Sequence, residues 1–106
     1  MQNETAKQRI KVIRSGIQQE RQLISKLNST VADTNLKTLL RPASFLLDRV
    51  ESFFLNAKIL EEKRTPAALA KWLHEAEKVL RLASQQRKSF ELIIKKFGPD
   101  ARLVAG

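Results

Sequence analysis

The apolar residues of this chain recur at intervals of three and four along three long stretches, and this periodicity constrains the fold more than any other feature. Such spacing places side chains on one face of an α-helix. Only three glycines and three prolines interrupt the 106 residues, which favours long helices because these two residue types are the strongest helix breakers. The pattern predicts an all-α protein with helices near residues 4–28, 34–63 and 66–97.

Capping signals mark the ends of these helices. Asn3 is suited to cap the first helix, and Thr65 followed by Pro66 is a strong start signal for the third. Gly98-Pro99 ends the third helix, since glycine accepts a left-handed cap and proline cannot continue the helix. The link over residues 28–34 is rich in turn and cap residues.

Pro42 lies inside the second apolar stretch, where proline removes a backbone donor and clashes with the preceding turn. Because the apolar phase continues past it, we expect a kink in one helix. The alternative is a short helix that ends near Leu40, followed by a new helix with Pro42 at its first position.

A lone amphipathic helix is marginal in water, so the three apolar faces must bury one another. Short links favour antiparallel neighbours. We therefore predict an antiparallel three-helix bundle, up-down-up, over residues 1–99, with a mobile C-terminal tail over 100–106. The predicted core residues are Ala6, Ile10, Ile13, Ile17, Ile24 and Leu27 in the first helix, Leu36, Leu39, Leu40, Ala43, Leu46, Leu47, Val50, Phe53, Phe54, Ala57 and Leu60 in the second, and Leu69, Trp72, Leu73, Ala76, Val79, Leu80, Ala83, Phe90, Ile93, Ile94 and Phe97 in the third.

The chain is strongly basic, with 20 Lys and Arg against 11 Asp and Glu and a net charge of +9. Such a balance is typical of proteins that contact nucleic acid, an anionic membrane or an acidic protein. Residues 1–31 hold six basic and two acidic side chains, 32–64 hold six and five, and 65–106 hold eight and four. The excess positive charge therefore lies on the first and third helices.

Basic residues recur at helical spacing on both of these helices, as stripes that could track phosphates without reading bases. The sequence has no helix-turn-helix signal, and no aromatic residues are interleaved with the charges. The pattern therefore does not favour base recognition. The alternative is an ordinary solvated helix face. The predicted polyanion-binding residues are Lys7, Lys11, Arg14 and Arg21 on the first helix, and Lys71, Lys78, Arg81, Lys88 and Lys95 on the third.

Glu20 and Arg87 interrupt the apolar stripes of the first and third helices. A lone charge in a core position is costly unless it is paired. Three interpretations stay open: both side chains reach to the edge of the bundle, they form a structural ion pair that fixes the register of two parallel helices, or they serve a ligand or catalysis.

We find no catalytic or metal-binding signature and expect a non-enzymatic protein without a cofactor. The absence of cysteine excludes disulfides and thiolate metal sites. The single histidine, His74, has only Glu77 at helical spacing, and Gly-rich phosphate loops are absent. No apolar run approaches the roughly 18 residues of a membrane span, and the first residues do not resemble a signal peptide, so we expect a cytoplasmic location.

A second apolar line on the middle helix predicts a protein interface. Phe45, Leu55 and Ile59, with Ser52 among them, point away from that helix's core face, and an apolar patch left in water marks an interface. The alternative is that the tail, Leu103-Val104, folds back over this helix.

From the basic stripes we expect an accessory protein that binds nucleic acid or another polyanion through helices 1 and 3. The rival hypothesis is a protein–protein adaptor or assembly subunit that docks through helix 2. A homodimer formed through the same helix belongs to this hypothesis.

Overall fold

A computed structural model of the chain describes residues 2–54 and 65–103, and the side chains of residues 6–52 and 65–103. All regular elements in these ranges are helical, as predicted: α1 (Gln2–Thr30), α2 (Thr34–Lys37), a 3-10 turn (Thr38–Leu40), α3 (Arg41–Phe54) and α4 (Pro66–Phe97). The long helices α1, α3 and α4 contact one another, and the molecule measures 51 × 22 × 17 Å. Within the described ranges, no helix is both long enough and apolar enough to cross a membrane.

Both ends of α4 follow from local chemistry. The Thr65 backbone is extended, and its hydroxyl oxygen accepts a hydrogen bond from the Ala68 N–H at 3.2 Å. Pro66 has no N–H to leave unpaired in the first turn. At the other end Gly98 adopts φ +83° and ψ 168°, a positive-φ conformation that is essentially confined to glycine. Its N–H donates to the Ile94 carbonyl at 2.7 Å, which closes the helix.

Pro42 divides the second apolar stretch into two α-helices joined by the 3-10 turn. A proline ring clashes with the carbonyl four residues earlier, here that of Thr38, so a regular α-helix is disfavoured at this point. Because α3 begins at Arg41, Pro42 falls in its first turn, where a missing N–H needs no partner. The structure therefore agrees with the alternative of two helices rather than with one kinked helix, and residues 55–64 of the predicted helix lie outside the described part.

The core consists of the predicted apolar stripes. Trp72 and Phe90 are both buried, as the helix phase of α4 requires. Glu20 and Arg87 are the buried charged residues of the described chain. The buried apolar side chains are Ala6, Ile10, Ile13, Ile17, Ile24, Val31, Leu36, Leu40, Ala43, Leu47, Val50, Leu69, Trp72, Leu73, Ala76, Val79, Ala83 and Phe90.

Two predicted core residues are wrong: Leu39 is 38% exposed and Phe97 is 64% exposed. Both lie in phase with the buried residues of their own helices, but they line an open cleft rather than a closed interface. Periodicity predicts which face of a helix is apolar, not whether another element covers that face at the helix end. The predicted core positions Phe53, Phe54, Ala57 and Leu60 have side chains outside the described part.

Candidate binding surfaces

Glu20 of α1 and Arg87 of α4 form a buried ion pair. The Arg87 Nε donates to Glu20 Oε2 at 2.5 Å, and its Nη2 donates to Oε1 at 3.1 Å, so the guanidinium meets both carboxylate oxygens. Its Nη1 donates to Glu91 Oε1 at 2.6 Å. The hydrogen bond to Glu20 raises the pKa of Arg87, and this outweighs the lowering by burial. The structure thus brings the two interrupting charges together in the interior, with neither side chain directed to solvent.

Two further arginines of α1 link it to the other long helices. Arg9 donates to Glu77 of α4. Arg21 donates to Asp48 at 2.7 Å and also to Glu51, both on α3. The hydrogen bond to Asp48 is the main cause of the raised pKa of Arg21. Arg21, predicted to bind a polyanion, is therefore shared by two carboxylates of the protein, because its stripe runs close enough to the core face to reach α3.

The lysines of the described ranges differ from these arginines in their ion pairing. All cations in the ion pairs of the described ranges are arginines, and no lysine there forms an ion pair. The pairs engage five carboxylates, namely Glu20, Asp48, Glu51, Glu77 and Glu91. The other predicted polyanion-binding residues are all exposed: Lys7, Lys11, Arg14, Lys71, Lys78, Arg81, Lys88 and Lys95.

The basic stripes of α1 and α4 border different grooves. Arg14 and Arg21 line a groove with Glu51 of α3. Arg81 instead lines the groove between α1 and α4, beside Val12. The members of the two stripes that line grooves therefore border different grooves. The basic residues of α4 form an exposed surface by themselves, here called the α4 basic surface: Lys71, Lys78, Arg81, Lys88 and Lys95.

Gly16 of α1 lies in close contact with Leu80 of α4. A Cβ atom at this position would lie 2.8 Å from Leu80 Cδ2, well inside van der Waals contact. The glycine therefore lets the two helices pack closely a short distance along α1 from the Glu20–Arg87 pair. The sequence signal was a glycine inside a helical pattern, but its partner on α4 could not be read from spacing alone.

An apolar cleft opens at the end of the molecule where α2, the end of α4 and the tail meet. Its volume is about 450 Å³. The first tail residues, described as far as Leu103, supply one wall, and the backbone N–H of Leu103 donates to Asp33 Oδ2 at 2.8 Å. The mobility predicted for the tail stays a prediction. The lining residues are Leu36, Leu39, Ile93, Phe97, Ala101, Arg102 and Leu103.

The remaining candidate residues are dispersed. Phe45 is 68% exposed on α3, whereas its predicted interface partners Leu55 and Ile59 lie outside the described residues. His74 is exposed. Within the described part of the chain, no group of three or more His, Cys, Asp or Glu side chains is placed to hold a metal ion.

The chain matches no protein-family model, and neither a curated protein nor a solved structure shows significant similarity to it.

Proposed function

We propose that the protein binds nucleic acid, or a similar polyanion, through exposed basic residues of α4 and α1, and that the α4 basic surface makes the main contribution. The observation that carries this proposal is the division between arginines and lysines. Arginines engage the carboxylates that lie between the helices, so the lysines keep positive charge that no ion pair of the described chain offsets. Such charges attract phosphates by displacing condensed counterions.

The length of the α4 basic surface supports contact with a phosphate backbone. From Lys71 to Lys95 the helix rises by about 36 Å at 1.5 Å per residue. One turn of duplex DNA is about 34–36 Å long, so a straight helix of this length spans one helical repeat and can contact phosphates at both ends of it. Exposed Lys7 and Lys11 of α1 add positive charge on a separate surface. This arrangement suits backbone contact without base recognition.

The proposal includes the up-down-up antiparallel bundle, which the order of contacts along the helices supports. Arg9 pairs with Glu77 and the buried pair lies farther along both helices, which is the order of parallel α1 and α4. Toward α3 the order reverses: Arg21 pairs with Glu51, whereas Asn28 shares a groove with Ser44. In this bundle the exposed basic residues of α1 and α4 lie outside one shared core, whereas Arg9, Arg21 and Arg87 pair with carboxylates of neighbouring helices.

Binding to generic duplex and single-stranded DNA and RNA, measured across a salt series, tests this function. We expect affinity to fall steeply with salt, with little dependence on sequence. The variant Lys78→Glu/Arg81→Glu should lower the slope of log Kobs against log salt by about 1 for each lost phosphate contact.

The matched control is Lys26→Glu/Arg49→Glu, which removes the same charge from exposed positions outside the α4 basic surface. We expect this variant to keep most of the affinity. Equal weakening by both variants would show that net charge alone acts, and no binding at low salt would contradict the proposal.

The second candidate function is a protein adaptor, and the exposure of Phe45 favours it. An exposed phenylalanine forgoes burial that stabilises a complex by about 1.5–3 kcal/mol. If α3 docks on a second copy, sedimentation velocity should show a dimer that Phe45→Glu converts to a folded monomer. A wild-type protein that stays monomeric at high concentration contradicts self-association through this face.

A further inference from the structure

We propose that the apolar cleft at the end of the molecule binds a monomeric long-chain carboxylate, with the alkyl chain in the cleft and the carboxylate beside Arg102. This site is separate from the α4 basic surface and does not depend on polyanion binding. The cleft is held open by specific hydrogen bonds, leaves apolar side chains exposed and has positive charge at its rim.

Specific backbone interactions form the cleft wall. Gly98, with φ +83°, turns the chain away from the axis of α4, and the Ala101 N–H donates to the Gly98 carbonyl at 3.2 Å. Asp33 Oδ2 then accepts two hydrogen bonds, from the Leu36 N–H at 3.0 Å and from the Leu103 N–H at 2.8 Å. One carboxylate oxygen therefore holds the tail against the start of α2.

The walls leave large apolar side chains exposed to water. Leu39, Phe97 and Leu103 all line this one cleft and are 38%, 64% and 41% exposed. The volume of about 450 Å³ lies within the roughly 300–1,000 Å³ of small-molecule pockets, which are mostly apolar with a few placed polar groups. An alkyl chain would remove this surface from water, which a phosphate backbone would not do.

The charges at the rim select an anionic head group. Arg102 is the one charged side chain among the lining residues. The Lys96 ammonium lies 5.4 Å from the centroid of the Phe97 ring and adds a second positive charge beside the cleft. The nearby Asp33 carboxylate is already engaged by two backbone N–H groups. An apolar chain with a negative end complements this arrangement.

Calorimetric titration with octanoate, decanoate and dodecanoate, each below its micelle concentration, tests the proposal. Burial of one methylene contributes about 0.8 kcal/mol, so affinity should rise about fourfold for each added methylene that enters the cleft. Dodecyltrimethylammonium, with the same chain and a positive head, should bind more weakly by about fivefold or more, since it loses the ion pair. Affinity that is independent of chain length, or equal for both head groups, would overturn the proposal.

Two substitutions on α4 give a matched comparison. Phe97→Lys places a charge in the cleft, and Leu92→Lys places one at a position that is equally exposed, 65%, on the same helix but away from the lining. We expect Phe97→Lys to abolish the chain-length dependence and Leu92→Lys to retain it, with circular dichroism confirming that both are folded. Equal effects of the two would contradict the site.

Two further measurements separate this site from other occupants and from the proposed function. Lys78→Glu/Arg81→Glu should leave dodecanoate affinity within about twofold of wild type, even if polyanion binding is lost or never occurs. If the wild type is a dimer and Phe97→Lys makes it monomeric, a second copy of the chain occupies the cleft and the carboxylate proposal fails.

Discussion

At the scale of single residues, the Glu20–Arg87 pair occupies positions that apolar side chains fill elsewhere on the same two helix faces. Removal of two charges from water costs several kcal/mol for each ion, and their attraction offsets this only with good geometry and further hydrogen bonds. Arg87 meets both oxygens of Glu20 and also binds Glu91. No buried side-chain nitrogen or oxygen in the described part lacks a partner. The pair is therefore well placed to fix the register of α1 against α4.

Arg87→Ala should destabilise the protein by about 3–5 kcal/mol, because it leaves the Glu20 carboxylate buried without its partner. Glu20→Ala should cost less, since Arg87 keeps Glu91. The double variant should lose less than the sum of the two. Urea denaturation of the four proteins measures these values, and strictly additive losses would mean that the two residues do not interact.

Gly16 allows a second residue-scale prediction. Alanine in a helix is favoured over glycine by about 0.5–1 kcal/mol, but its Cβ would force Leu80 Cδ2 to move. Because that atom ends a flexible side chain, the two effects should nearly cancel, and Gly16→Ala should change stability by less than about 0.5 kcal/mol. Gly16→Leu should cost about 1–3 kcal/mol by overpacking the α1–α4 contact. Ser15→Leu, at the exposed neighbouring position, is the control, and equal melting temperatures for the two leucine variants would contradict the close contact.

The sequence predicted the character of these residues better than their partners. Because Glu20 and Arg87 lie inside apolar stripes, each charge was expected to need a partner or a route to solvent. The predicted parallel direction of the first and third helices made an ion pair between them geometrically feasible. The contact of Gly16 with Leu80, and of Arg21 with Asp48, depends on the rotation of each helix about its own axis. Spacing within one helix predicts which face turns toward the core, but not which side chains of another helix it meets.

At the scale of the elements, the two ends of α4 were predicted well and the interrupted region less well. The predicted N-cap of the first helix, Asn3, is wrong, since it lies inside α1. Thr65, Pro66 and Gly98 are sufficient to define α4. Around Pro42 the continuous apolar phase favoured one kinked helix, but steric exclusion by the proline ring favours the 3-10 turn. The apolar phase persists because the backbone remains right-handed at Lys37, Thr38 and Arg41.

Asp33 connects two elements, which allows a prediction at this scale. Asp33→Ala should cost about 0.5–2 kcal/mol through loss of the α2 N-cap, and it should also release the tail at Leu103. Amide hydrogen exchange should become faster at both Leu36 and Leu103 in this variant. Asp33→Asn keeps an acceptor oxygen and should retain most of the protection. Faster exchange at Leu36 alone would show that the tail is held by other contacts.

At the scale of the whole molecule, the fold class was predictable because it depends only on periodicity and on breakers. The surfaces were less predictable. Arg14 and Arg21 of the α1 stripe border a different groove from Arg81 of the α4 stripe, although the two stripes were predicted on adjacent helices. Leu39 and Phe97 were assigned to the core because their phase is apolar, whereas the end of a helix has fewer neighbours to cover it.

The assignment of ion pairs to arginine has a chemical consequence for the intact molecule. Acetylating reagents neutralise lysine amines but leave guanidinium groups charged. Complete acetylation of the 11 lysines would lower the net charge by 11, from +9 to −2, without removing any cation from the ion pairs of the described residues. We expect the acetylated protein to keep its helical circular dichroism and cooperative unfolding while its electrophoretic mobility reverses direction. Such a result would show that the sign of the surface charge can be changed while the ion pairs in the described part of the chain stay intact.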